Sequence, residues 1–185
     1  MSSIAEMRPR FSLQEAAKIV FSLFGISGTL HPLPSERDQN FLVVDKNNKR
    51  FVFKISGAAE KYDVLDLQHS ALDHLSSKFI GTTWPLVCKT QNGERIEEII
   101  GEGGLKHFVR MLTFVEGHPF YRINPQDSTL LNDLGIFLGR LTCSLANFSH
   151  REKQTNLIWN MENGPSVIQQ YLNHIPTSAR QELVM

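Results

Sequence analysis

The chain is poor in cysteine, balanced in charge and free of long apolar runs, and each lack removes a class of protein. Only Cys88 and Cys143 occur in 185 residues, far apart and outside any C-x-x-C. A disulfide scaffold or a thiolate zinc site therefore has no footing, and both are expected to be buried free thiols. Nineteen basic side chains against nineteen acidic ones leave a net charge of zero. No general field draws the chain to nucleic acid or to an anionic membrane, so its partners are expected to be small molecules. Nowhere do about eighteen apolar residues follow one another, and the opening MSSIAEMRPR carries no apolar stretch of the signal-peptide kind. The expectation is a cytoplasmic protein with no membrane span. The seven histidines form neither H-E-x-x-H nor H-x-H, and His69 and His74 are five apart, off a shared helix face. No metal ligand is assigned.

What is present is the composition of a globular chain, with 41% hydrophobic and 21% charged residues, enough for one domain or a small lobe and the start of a second. Ser12 and Glu15 stand in capping-box spacing ahead of Ala16, Ile19, Val20 and Leu23, and Gly25 follows as a stop. That predicts an N-terminal helix. TLHPL, NFLVVD and RFVFKI then read as antiparallel strands, the last two joined by a hairpin at Asn47 and Asn48. AEKYDVLDLQHSALDHLSSKF returns to helical spacing, with Val64, Leu67, Ala71, Leu72 and Leu75 on one side. WPLVCK and ERIEEII read as two strands around the turn dipeptide Asn92-Gly93, and HFVRMLTF as a third. STLLNDLGIFLGRLTCSLANF is the clearest helix, capped by Asp127 or Ser128, and a last one begins at Asn163-Gly164-Pro165. The expected fold is α+β: a small antiparallel sheet with an inserted helix in residues 1–117, hinge included, and the first helices of a second lobe in 118–185. The boundary lies near HPFYRINPQDS.

Strand RFVFKIS places Lys54 opposite Phe51, Phe53 and Ile55. A lysine on the open face of an antiparallel strand is commonly just solvated. Here it follows a polar hairpin and precedes a helix, the setting in which kinase-like folds put a lysine on nucleotide phosphates. The helix position expected to orient it is Gln68, which can accept a hydrogen bond but carries no charge; Asp66 and Asp73 face elsewhere. LPSERDQNF, residues 33–41, would cover the phosphates. It contains no glycine, so a cradle there would rest on Ser35 and on the backbone around Glu36 and Arg37. The same loop also reads as an ordinary polar hairpin tip. RMLTFVEG would be the hinge, with the backbone of Thr113, Phe114 and Val115 able to meet a purine edge.

In order and spacing, LHPLPSERDQNF, FVFKIS, LDLQHSALDHL, VRMLTFVEGHP, LGIFLGRL and NLIWNMENGPSVIQQYL resemble the aminoglycoside phosphotransferase and choline kinase superfamily, within it the hydroxylysine-kinase-like branch. The resemblance covers nearly all of the chain. It implies a protein-kinase-like fold and transfer of a terminal phosphoryl group from ATP or GTP, with Mg2+, to a small hydroxylated amine or amino acid such as hydroxylysine. Lys54 would hold phosphates with a loop formed by Ser35, Glu36, Arg37, Asp38 and Asn40, Gln68 would stand behind it, and Thr113, Phe114 and Val115 would meet the base. The family's H-G-D-x-x-x-x-N loop is absent, and after Asp133 the only carboxylates are Glu152, Glu162 and Glu182. HREKQTN, residues 150–156, imitates the protein-kinase loop but has Glu152 for the aspartate and Asn156 one position too near. No catalytic residue is assigned. The chain is expected to be inactive by itself, with a fused or associated catalytic segment or self-association to complete it. The other reading is a non-catalytic regulatory module that binds nucleotide or protein.

Overall fold

The computed structural model describes residues 7–123, 127–152 and 160–183. The chain divides into two compact units, Met1–Arg151 and Glu152–Met185. The first opens with helix α1, Leu13–Phe24. Its capping box is closed as the spacing predicts: the Glu15 amide donates to Ser12 Oγ at 3.2 Å and the Ser12 amide donates to Glu15 Oε2 at 2.8 Å. Gly25 ends the helix at φ 67°, a left-handed conformation that a side chain resists.

Six strands follow in one antiparallel sheet: β1 (Gly28–Leu33), β2 (Gln39–Asp45), β3 (Arg50–Ile55), β4 (Val87–Cys88), β5 (Glu97–Ile100) and β6 (Lys106–Thr113). The order is β1-β2-β3-β6-β4, with β5 also on β6. The β2–β3 hairpin turns through Asn48 at φ 60°, and the Asp45 carboxylate accepts from the amides of Asn47 and Lys49, both at 2.8 Å. The second hairpin expected from the sequence takes a different form. A tight turn does form at Gly93, where the Thr90 amide donates to the Glu94 carbonyl at 2.8 Å, yet β4 and β5 do not pair with each other. Both lie along the same side of β6 in succession, β4 against Met111 and Leu112 and β5 against residues 106–109. Between them Arg95 is drawn toward the inserted helix, where it pairs with Asp73 at 2.8 Å.

Alternation along the strands sorts the sheet into two faces. Phe41, Val43, Phe51, Phe53, Ile55, Val109 and Met111 turn to α1 and enclose Ala16 and Val20, forming the core. The opposite face receives α2, Tyr62–Lys78. The buried line of α2 is Leu65, His69 and Leu75, rotated from the stripe the periodicity suggested. The cause is a second neighbour: α3, Ser128–Leu145, capped by Asp127 as expected, lays Phe137 against Phe79 and Trp84 at ring separations of 5.5 and 6.1 Å, so α2 is flanked on two sides. Exposed Leu131, Ile136 and Leu138 line other parts of α3. The second unit contains α4, Gly164–Tyr171, with Pro165 in its first turn as predicted, and a short α5, Ser178–Glu182, that periodicity does not announce. Among the described residues no helix is long and apolar enough to cross a membrane.

Candidate functional site

The face of the sheet turned to α2 carries two distinct rows. Register pairing puts Asn40, Lys54 and Arg110 side by side across β2, β3 and β6. One row nearer the end of β6, Leu42, Val52, Leu112 and Val87 lie abreast across four strands, each half-buried. A charged row thus adjoins an apolar strip on one face of the sheet, and the strip leads along β6 toward residues 113–115.

Lys54 is half-buried. Burial first, and then the neighbouring Arg110 guanidinium, push its ammonium pKa down, while the Asp38 carboxylate pulls the other way. Arg110 is only 5% exposed, and burial likewise lowers its pKa against the opposing fields of Asp38 and Glu60. Among the described residues neither cation has a carboxylate within 4.0 Å. Gln68, expected opposite Lys54, offers its Oε1 to Arg110, whose Nη2 donates at 2.6 Å. Among the described residues, Arg110 Nε and Asn40 Oδ1 are buried with no hydrogen-bond partner.

The loop over this row is anchored rather than glycine-rich. Asp38 Oδ1 accepts from the Gly57 amide at 3.2 Å, tying the loop to the exit of β3, and a Cβ at Gly57 would come within 3.1 Å of the Arg37 carbonyl. Ser35 is half-buried there, while Glu36 and Arg37 point to solvent. At the other end, the Thr113 amide donates to the Leu86 carbonyl at 2.9 Å, and the Phe114 amide to the Arg50 carbonyl at 3.1 Å. Among the described residues the Val115 amide makes no backbone hydrogen bond, and Val115 is exposed. Thr113 and Phe114 thus have their amides tied back to the fold, and among the described residues that of Val115 is not. Arg50 steadies the segment by stacking over Phe114 at 4.9 Å and pairing with Glu116.

HREKQTN lies partly outside the described residues. His150 pairs with Asp66 at 3.1 Å, and Arg151 pairs with Asp63, so its start is fastened to α2. Among the described residues no group of three or more His, Cys, Asp or Glu is placed to hold a metal ion. The charged row suits phosphate oxygens, but the described residues do not fit a divalent ion.

Two parts of this site escaped the sequence reading. The apolar row was visible as alternation in NFLVVD and RFVFKI, but it becomes a surface only when β6 and β4 supply Leu112 and Val87. Arg110 carries no such signal in the sequence, because its burial depends on β6 being internal to the sheet.

An antiparallel sheet with one helix on each face is an architecture shared with kinase-like phosphotransferases. The fold superposes on the amicoumacin kinase hAmiN, solved in complex with AMP-PNP, Ca2+ and Ami, with a TM-score of 0.68 at 14% identity over 91% of this chain and 55% of that one. It also superposes on a microcompartment-associated aminopropanol kinase with a TM-score of 0.58 at 18% identity over 82% of this chain and 46% of that one. Residues 29–183 match the Phosphotransferase enzyme family, APH, and the chain belongs to that family. It is 28% identical to hydroxylysine kinase of Mus musculus over 98% of this chain and 52% of the mouse protein. Against hydroxylysine kinase of Danio rerio it is 27% identical, over 98% of this chain and 53% of that protein. The chain spans about half the length of these relatives.

Proposed function

We propose that this chain is the nucleotide-binding part of a small-molecule kinase, organised as a lobe of residues 1–117 and a partial helical lobe of 118–185. The observation that carries the reading is the adjacency of the two rows: cationic Lys54 and Arg110 stand beside the apolar strip of Leu42, Val52 and Leu112, the last of them three residues before the Val115 amide, which makes no backbone hydrogen bond among the described residues. A nucleotide has that same sequence of parts: phosphates, a flat apolar base, and a hydrogen-bonding edge. The Lys54 ammonium would hold phosphate oxygens as a point charge under the loop of Ser35 to Asn40. The strip would exclude water from the base, and the Val115 N–H would donate to its edge.

A bound nucleotide with its divalent ion would supply the phosphoryl group to be transferred. The acceptor class suggested by the hydroxylysine kinases is the hydroxyl of an amino-alcohol. This chain orients the donor. No H-G-D-x-x-x-x-N loop occurs among its 185 residues, so the base and the metal-binding carboxylates would come from a further segment or a partner. By itself the chain would bind nucleotide without turning it over.

Isothermal titration of the 185-residue chain with ATP and with GTP, each with Mg2+, tests this. Binding of one or both is expected, weakened at least about tenfold in Lys54→Met, as loss of one close charge contact implies. Equal affinity in wild type and Lys54→Met would overturn the assignment.

A further inference from the structure

Arg110 is held in a way that makes little sense as scaffolding. It is only 5% exposed, sits directly across from another cation, and makes a hydrogen bond to a neutral amide where an ion pair would be the usual solution. Its Nε has no partner among the described residues, although a guanidinium carries five donors. Asp38, the carboxylate whose field acts most on Arg110, accepts from the Gly57 amide and forms no ion pair with Arg110. Gln68 therefore fixes the guanidinium in place and leaves its charge intact, which an acid at 68 would not do.

We propose that Arg110 is the second cation of the anion site, forming with Lys54 a two-charge clamp for a polyphosphate, and that Gln68 is the uncharged residue that positions it. This rests on the reading that the α2-facing side of the sheet takes a nucleotide, and it adds a specificity to that reading. Lys54 reaches the ligand from the half-buried side of the row, and Arg110 lies beside it as a fixed charge. The desolvated pair is unfavourable when empty and is relieved by an anion, so affinity rises with phosphate charge: triphosphate over diphosphate over monophosphate, with the bare nucleoside indifferent to Arg110.

Binding of inorganic tripolyphosphate, ATP, AMP and adenosine is measured on wild type, Arg110→Met and Gln68→Glu, alongside melting temperature without ligand. Methionine fills a comparable apolar volume, and glutamate gives Arg110 a salt bridge, so both variants are expected to fold and to melt at or above the wild-type temperature. Each is expected to bind tripolyphosphate and ATP about tenfold more weakly while leaving adenosine unchanged. Undiminished tripolyphosphate binding in Arg110→Met would overturn the inference. So would a lowered melting temperature with equal losses for adenosine and ATP, the mark of a purely structural residue. If tripolyphosphate binding depends on Arg110 but ATP binds no better than tripolyphosphate, the nucleotide reading fails and the clamp stands. If wild type binds none of the four, both fail.

Discussion

Replacing His69 by leucine should make the protein markedly more resistant to acid. The His69 ring is fully buried on α2, and both of its nitrogens lack partners among the described residues. Burial first, then the fields of Arg110 and Arg95, with Asp66 opposing, bring its pKa down from 6.5 to about 4. The folded chain thus resists protonating a group that the unfolded chain protonates readily. The contribution to stability is complete above pH 6.5 and is lost as pH falls from there toward 4. Linkage puts the loss at about 2 kcal/mol between pH 8 and pH 5, and about 3 kcal/mol by pH 4. Leucine has no proton to gain and fills a similar apolar volume. Urea unfolding of wild type and His69→Leu at pH 8, 6 and 5 isolates the effect, because the remaining titrating groups are common to both. Wild type should lose about 2 kcal/mol more than the variant over that range. Parallel losses would show that His69 is protonated in the folded state, and would refute the picture of a neutral ring sealed beneath the sheet.

Two further outcomes concern the opposite face of the sheet. Ser12→Ala removes an N-cap whose hydroxyl accepts from the Glu15 amide, and should cost about 1 kcal/mol in chemical unfolding. Phe53→Ala empties a fully buried site between Phe41 and Phe24 and should cost about 3–5 kcal/mol, read as a lowered urea midpoint by circular dichroism.

Local signals made much of this fold legible. The capping box at Ser12, the left-handed stop at Gly25, the turn at Asn48 and the Asp127 cap are each written in a few adjacent residues, and each forms as read. The alternation in RFVFKIS was enough to put Lys54 opposite the phenylalanines. What depended on distant pairing was hidden. Two residues of β4 cannot announce that they will lie on β6 rather than on β5, since a two-residue strand carries too little pattern to name its neighbour. The rotation of α2 is set jointly by the sheet and by α3, so one helix's periodicity gave the wrong centre for its buried face. In the same way, Gln68 was legible as the helix residue near the charged row, but its engagement with Arg110 is a matter of register between α2 and β6. The acceptor's chemistry is written in none of these residues.

The most direct test of nucleotide binding on the α2-facing side of the sheet is an amide NMR titration of the 185-residue chain with ATP and Mg2+. Shifts should concentrate at Asn40, Lys54, Arg110 and the loop of residues 35–38, with the Val115 amide moving downfield as it gains an acceptor. An unperturbed Val115 together with shifts confined to the α1 side of the sheet, or no shifts at millimolar ATP, would contradict it.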